Sequence, residues 1–532
     1  MIAQTLLLRL LVFLFHFAIF FCSGMAALRQ EKQGKRFENG FFRATGGFWV
    51  MALPIGFLAW VLFLWLISPK DVLAAVQTGV QYLLAYLLYS LLMLALLPRL
   101  RKRYTAQSCA LLWVLPSASF VLSVRFFYVL QEAVVQIRLG RTLLTVLLAV
   151  WAAGFLAVLA WKLLSHWRFR RRLLKDAVPA CAREKALYHS CRATVAGIRN
   201  VRFLQVDYPR GTELLRDRDL MAMQLTEQPK LQAAPAREVS REDNKNRYNV
   251  PDSDALLRSP AADSPLAIGL FRRTIRVVLP MREYSDDELR LIFRHEICHL
   301  MRSDNSTKLL MAIQTAFGWF LPSMWLGMER SAQDAELACD ELATAGLTED
   351  ERKQYAALLL THSGAAAGFT TCLSASKEGL RYRLTRVLHP KQRRVGVVML
   401  SLIVALFLSC FSLVGFAVEA GTMREAVFDR SPDGALLLQT GSAEFAPSPN
   451  ADALHAMLDD VVLYRDLTER TSAYGARLLY FALDNTTGVY LYENGVTVVS
   501  QQGAGRFSTE CYLTQTPIDG AAIARLCRTE GD

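Results

Sequence analysis

Arg294-His295-Glu296-Ile297-Cys298-His299-Leu300 reads H-E-x-x-H. On a helix, two imidazoles four residues apart share a face and can hold one divalent ion, while the glutamate between them is placed to handle a proton. Ser285 followed three residues later by Glu288 is a capping box, which sets the helix start just before Leu289. Leu289, Ile292, Phe293, Ile297 and Leu300 recur at helical spacing and form its apolar stripe. Glu296 projects into that stripe with His295 and His299 along its flank, and a carboxylate aimed at a core requires a partner.

A hydrolytic zinc site takes three protein ligands and keeps one position for water. His295 and His299 supply two. Ser331 to Gly346 offers Asp334, Glu336, Asp340 and Glu341, of which Glu336 and Asp340 share a helix face, and spacing alone does not choose among them. The apolar run Leu309 to Met328, interrupted by Pro322, lies between the histidines and these acids. A single crossing there would put a third ligand on the wrong side of a bilayer. The run is therefore expected to be a buried, interfacial or re-entrant hairpin segment. Glu349 to Leu360 follows as a helix.

Upstream, Thr274 to Leu279 alternates, is rich in β-branched residues and ends at Pro280, the pattern of a strand. Beside a metal-binding helix it is either an ordinary sheet strand or an edge that pairs with an extended peptide. Pro209 to Ser264 is rich in charge, Pro and Asp without periodicity, and reads as a long mobile insertion. A helical run around Ala177 to Ile198 and a short strand, Val201 to Val206, precede it.

The chain has 532 residues, 53% of them hydrophobic and gathered into long runs, as in a membrane protein. Five runs of about 20 apolar residues precede the motif: Thr5 to Met25, Phe48 to Ile67, Val72 to Leu97, Cys109 to Leu130 and Leu143 to Trp161. The first lacks a positive n-region and exceeds a signal-peptide core, so it reads as an uncleaved anchor. Gly396 to Phe416 is the last span. Arg and Lys follow spans one, three and five and precede the last, so those loops face the cytoplasm, while Ser68 to Asp71 and Gln131 to Arg141 face out. The net charge of +12 is used at the lipid interface in this arrangement, and no direct nucleic-acid binding is expected. The N-terminus and the tail then lie outside and the histidines inside.

The tail, Glu419 to Asp532, reads as a small α+β domain with a helix (Ala451 to Leu467), a strand (Ala476 to Leu483) and a hairpin turning at Glu493-Asn494-Gly495. The ten cysteines show no disulfide framework and no C-x-x-C ligand set; Cys511 and Cys527 form the one candidate pair, left open. Cys298 and Cys339 read as small buried thiols, and His16 as structural.

His295-Glu296-x-x-His299 with Asp304, then Glu336-Leu337-Ala338-Cys339-Asp340-Glu341, resembles the membrane metallopeptidases of the BlaR/MecR antirepressor type. Ser264 to Leu270, Leu373 to Ser376 and Arg381 to Leu388 add to the likeness, which covers about Arg192 to Lys391. The resemblance implies Glu336 as third zinc ligand and Asp340 as a group orienting a ligating histidine, with Asp304 a further candidate for that role. It also implies a bacterial cell-membrane protein, multi-pass and α-helical, with a cytoplasm-facing α+β gluzincin domain over residues 166–395, a last span at 396–418 and an extracytoplasmic domain at 419–532. The tail is shorter than a penicillin-binding sensor. Ser374-Ala375-Ser376-Lys377 and Ser303-Asp304-Asn305 precede the last span with no K-T-G after them, which argues against β-lactam sensing.

The expected activity is that of a zinc endopeptidase with Glu296 as proton carrier. It cuts a cytoplasmic protein, a transcriptional repressor on the resemblance alone, or its own insertion, in response to an unknown extracytoplasmic ligand. A housekeeping protease of membrane proteins and a catalytically silent receptor with a structural metal are the rival readings.

Overall fold

The computed structural model describes residues 2–32, 69–113, 135–197, 255–269, 274–362, 377–391, 393–409, 414–430, 437–440, 444–447, 451–466, 474–484, 486–502 and 506–527. The expected span Phe48 to Ile67 and strand Val201 to Val206 lie outside these, as does the expected span Cys109 to Leu130 beyond residue 113. Three described helices are long and apolar enough to cross a bilayer: α1 (Ile2–Lys32), α2 (Pro69–Arg103) and, after strand β1 (Val135–Leu139), α3 (Arg141–Lys175). At 35 residues α3 is about 50 Å long, so it runs through the apolar stretch and on through the basic residues Arg168 to Lys175. Each end of α3 carries a β-sheet.

Beyond its C-terminal end stands a four-stranded sheet in the order β2 (Val178–Pro179), β3 (Leu256–Arg258), β5 (Arg276–Leu279), β4 (Leu266–Ile268). Helix α4 (Ala182–Gly197) follows β2, and α5 (Asp286–Arg302) carries the motif. Alternation along the strands gives the sheet two apolar faces. Leu256, Ala267, Val277 and Leu279 pack under α5 with its Leu289, Ile292, Phe293, Ile297 and Leu300. Leu266, Ile268 and Val278 pack against Leu173 near the end of α3, where the Ser259 hydroxyl donates to the Leu173 carbonyl at 2.6 Å.

Two expectations change here. The insertion ends earlier than Ser264, because residues 255–264 supply β3, whose Leu256 is fully buried and which pairs parallel to β5. The strand at Arg276–Leu279 is interior, flanked by β3 and β4, so it offers no edge for an added peptide. On the edge strand β4, the Ala267 and Gly269 carbonyls accept from the Asn305 amide at 3.2 and 3.1 Å.

The run 309–328 folds as a helical hairpin: α6 (Asp304–Phe317), a turn, and α7 (Pro322–Ala343), with Pro322 in the first turn, where its missing N–H costs nothing. Its tip packs on the middle of α3. The Trp151 indole donates to the Phe317 carbonyl at 2.9 Å, and Gly154 leaves room for the Trp319 ring, which any Cβ there would strike. Farther along, Lys162 lies over the Trp325 ring and Leu159 packs on Leu309, Ala312 and Ile313. Helices α8 (Glu349–Thr361) and α9 (Lys377–Leu388) close the metal-helix core, and α10 (Val397–Ser409) packs beside α1.

The last span is also revised. Among the described residues α10 covers 13, about 20 Å, and Val414–Thr422, which includes the expected end of the span at Phe416, is strand β6. The tail sheet therefore begins five residues before Glu419. It has nine strands in the order β1, β6, β9 (Val462–Asp466), β13 (Arg506–Thr514), β12 (Gly495–Gln502), β11 (Thr487–Tyr492), β10 (Arg477–Ala482), β7 (Leu437–Thr440), β8 (Glu444–Pro447). The helix expected over Ala451 to Leu467 stops at Leu458 as α11 (Ala451–Leu458), and the β-branched Val461-Val462 opens β9. Helix α12 (Gly520–Cys527) packs on β10. Cys511 is buried beside Thr497, while the side chain of Cys527, the other member of the candidate pair, lies outside the described residues. The expected outer loop Gln131 to Arg141 contains β1, which pairs in parallel with β6 from Val135↔Val414 to Leu139↔Val418. Helix α3 thus starts at one sheet and ends against the other.

Candidate metal centre

Ser285 caps α5: its hydroxyl accepts from the Glu288 N–H and the Glu288 carboxylate accepts from the Ser285 N–H, so the helix begins at Asp286. This cap and the apolar stripe fix the rotation of α5. Glu296 is turned into the protein and is buried, and His295 and His299 lie side by side with their Nε2 atoms 3.0 Å apart. Ser303 ends α5 in the left-handed region at φ 57°, its N–H donating to the His299 and Leu300 carbonyls. That reversal starts α6 at once and brings Asp304 and Lys308, one turn apart, toward the histidines.

Glu336 arrives from α7. One carboxylate oxygen is 3.6 Å from His295 Nε2 and the other 3.6 Å from His299 Nε2. The three side chains form a group able to hold a metal ion. Glu336 Oε1 is buried with no hydrogen-bond partner. A buried carboxylate oxygen without a donor is costly, and two imidazole nitrogens at this distance repel unless a proton or a metal ion stands between them. A divalent cation among these three groups resolves both, so the residues present fit one.

The far nitrogen of each imidazole is anchored. His299 Nδ1 donates to Asp304 Oδ2 at 2.8 Å, and Asp304 also accepts from Arg302 Nε at 3.2 Å. His295 Nδ1 donates to Tyr355 Oη at 2.7 Å, which donates on to Asp340 Oδ1 at 2.8 Å. Arg383 holds Asp340 with two further bonds at 2.7 and 2.8 Å and reaches Glu336 Oε2 at 3.3 Å. With Nδ1 the donor in both rings, both Nε2 lone pairs are left for an ion. Burial opposes the charge on Asp304, yet Arg302 and the His299 hydrogen bond hold its pKa down at about 2. In the metal-free protein burial pulls the His299 imidazole down, but Cys339, Glu336 and Asp304 together raise it well above its usual value. Glu336 is held well below the carboxylate range against its burial, chiefly by His299 and Arg383.

Of the residues singled out from the sequence, His295, His299, Glu336, Asp340 and Asp304 meet here, and Glu296 is buried on α5 between the two histidines. Asp340 reaches His295 through Tyr355, and Asp304 binds His299 directly. Tyr355, Arg302, Arg383 and Lys308 carry no spacing signal: Tyr355 on α8 and Arg383 on α9 reach the site only through tertiary packing, and Arg302 and Lys308 face it because of the chain reversal at Ser303. Cys339 is buried, with its sulfur 3.1 Å from His299 Nδ1 and 3.2 Å from Asp304. Ser303-Asp304-Asn305 is accounted for locally, as helix reversal, histidine anchor and strand clamp.

The ligand helix is also gripped from the last turn of α2 and the segment after it. Asp334, fully buried, accepts from Arg101 Nε at 2.6 Å and from the Trp113 indole at 2.9 Å. Glu341 accepts from the Ala106 N–H at 2.8 Å and pairs with Arg386 at 3.3 Å.

A helix pair presenting two histidines and a glutamate, beside helices of membrane-crossing length, defines a membrane-associated metallopeptidase class. Residues 222–387 match the family model described as BlaR1 peptidase M56, a likeness of BlaR/MecR type. Regulatory protein BlaR1 of Bacillus licheniformis is similar over 201 residues at 25% identity. That alignment covers 37% of this chain and 31% of the relative, so the chain spans about a third of the curated protein it matches.

Proposed function

We infer that this protein is a zinc endopeptidase of the bacterial cell membrane that turns an extracytoplasmic stimulus into a cut in a cytoplasmic protein or in itself. The observation that carries this reading is the convergence of His295, His299 and Glu336 on one point, with both Nδ1 atoms anchored away from it. Zn(II), when bound, lowers the pKa of a water to about 7 and polarises the scissile carbonyl. His295, His299 and Glu336 hold the ion. Glu296 takes the water's proton on its carboxylate and delivers it to the departing amide nitrogen. Asp304 and the Tyr355–Asp340 pair keep each imidazole in the tautomer that binds.

The loop charges put this centre on the cytoplasmic side and the tail outside. The lengthwise separation of the two sheets along α3 supports that sidedness, since about 50 Å exceeds the roughly 30 Å hydrocarbon core. Membrane lipid then covers the apolar side chains that α3 leaves exposed, among them Leu143, Val146, Leu147, Val150 and Leu156. A transcriptional repressor is the substrate we propose to test first, and the tail sheet is where a ligand would act.

Comparison of the proteomes of cells carrying wild type or Glu296→Ala tests the reading. One cytoplasmic protein, or the chain itself, is expected to be cleaved in wild type alone. Absence of any such product, or purified protein that takes up no stoichiometric zinc, would overturn it. Asp304→Asn should weaken zinc binding roughly ten- to hundredfold, read by competition with a chelator, because the His299 tautomer is then no longer enforced. Unchanged affinity would remove Asp304 from this role. The raised pKa of His299 gives the pH dependence a sign. Zinc must displace a proton that the metal-free protein retains, so affinity falls as pH falls, by up to about tenfold per unit for one proton displaced.

A further inference from the structure

The centre contains a cation that metal binding does not explain. Lys308 is buried on α6, one turn after Asp304, and its ammonium stands 4.0 Å from Glu336 Oε1. Oε1 is the carboxylate oxygen that lacks a hydrogen bond. Burying an ammonium is costly, and its neutralising value to Glu336 is small, because Arg383 already meets that carboxylate at the shorter distance of 3.3 Å. Lys308 also repels any dication that Glu336 helps to hold. A group that weakens the ground state in this way is useful where negative charge appears later.

The charges of the described site point the same way. Four carboxylates, Glu296, Asp304, Glu336 and Asp340, stand with three cations, Arg302, Lys308 and Arg383. Arg302 is engaged with Asp304, Arg383 with Asp340 and Glu336, and Lys308 with Glu336 at the longer distance of 4.0 Å. A bound dication turns the deficit of one positive charge into an excess of one. Cleaving an amide develops one negative charge on the carbonyl oxygen in the transition state, and a buried, preorganised cation stabilises it without reorganisation.

The geometry points to Lys308 as the group that stabilises the developing oxyanion of the scissile peptide, at the cost of looser metal binding. The assignment rests on the peptidase reading, but its test needs no substrate. Full-length protein in detergent is titrated with Zn(II) against a chelator, and the zinc-loaded protein is then titrated with acetohydroxamate, a small anion with no side chain to be selected. Lys308→Met should bind zinc about tenfold more tightly, because a repulsion is gone. It should bind acetohydroxamate about tenfold more weakly, because the stabilising charge is gone. Lys308→Gln carries the same two expectations if methionine disturbs the fold, and Lys308→Arg should stay near wild type in both.

Opposite signs from one substitution are the signature. A lysine that merely propped up Glu336 would lose zinc affinity when replaced. Zinc affinity that falls or stays level, or hydroxamate binding that does not weaken, overturns the assignment. Both shifts together with a proteome that shows no cleavage would leave Lys308 as the anion-facing group and overturn the peptidase reading instead.

Discussion

Replacing Glu296 with glutamine is expected to leave zinc bound and to lower turnover by about 10³-fold, some 4 kcal/mol in barrier height. Glutamine has the shape of glutamate, so the packing of α5 on the sheet and the placement of His295 and His299 beside it are preserved. What is lost is the ability to accept a proton between the water and the amide nitrogen. The side chain is only 4% exposed, and bulk buffer cannot readily substitute for it. Glu336→Gln should behave in the opposite order. It removes an anion from the ion's surroundings, so zinc is lost first and activity follows. Chelator competition together with cleavage of the substrate found in the proteome comparison separates the two. A Glu296→Gln protein with more than a tenth of wild-type turnover would show that another group carries the proton.

The half of this centre that is local in sequence is legible from the sequence alone. The i, i+4 histidines and the Ser285–Glu288 cap depend on helix geometry alone, and both are present in α5. Glu336 and Asp340 could be placed on one face of a second helix, but their separate tasks depend on which partners tertiary packing brings up. Tyr355 lies 60 residues from the histidine it anchors. Arg383 lies 43 residues from Asp340. No periodicity marks such pairs. The errors at element ends have one physical cause. Apolar runs such as Leu413-Val414-Gly415-Phe416-Ala417-Val418 satisfy a bilayer, a buried helix and a buried strand equally well, and hydropathy does not tell them apart. Pairing with β1 and β9 decides for strand there. β1 itself, Val135-Gln136-Ile137-Arg138-Leu139, does alternate, but a five-residue strand between two apolar runs is read most easily as a loop. Missing it also hides the direct link between the tail sheet and α3.

Truncating Asp334 to alanine is expected to destabilise the folded protein by about 3–5 kcal/mol, a fall of roughly 10 °C in the thermal midpoint of the purified full-length chain. The carboxylate is fully buried, Arg101 beside it is only 12% exposed, and the Trp113 indole N–H also depends on it. Removing the anion strands a buried guanidinium and a buried donor together, which is why the loss should far exceed that of a surface pair. Replacing all three partners with apolar groups, as Arg101→Met, Trp113→Phe and Asp334→Leu, should recover most of the lost stability, since a packed apolar cluster can equal a buried ion pair. Metal affinity is where the two variants should agree. Asp334 lies two residues before Glu336 on α7, and its partners belong to the last turn of α2 and the stretch leading out of it. Any shift of that stretch relative to α5 moves the third ligand against the two histidines, so both variants should weaken zinc binding even though only one is unstable. Equal zinc affinity in wild type and the apolar triple variant would show that the grip on Asp334 serves stability alone and that the position of Glu336 is set by α6 and α9.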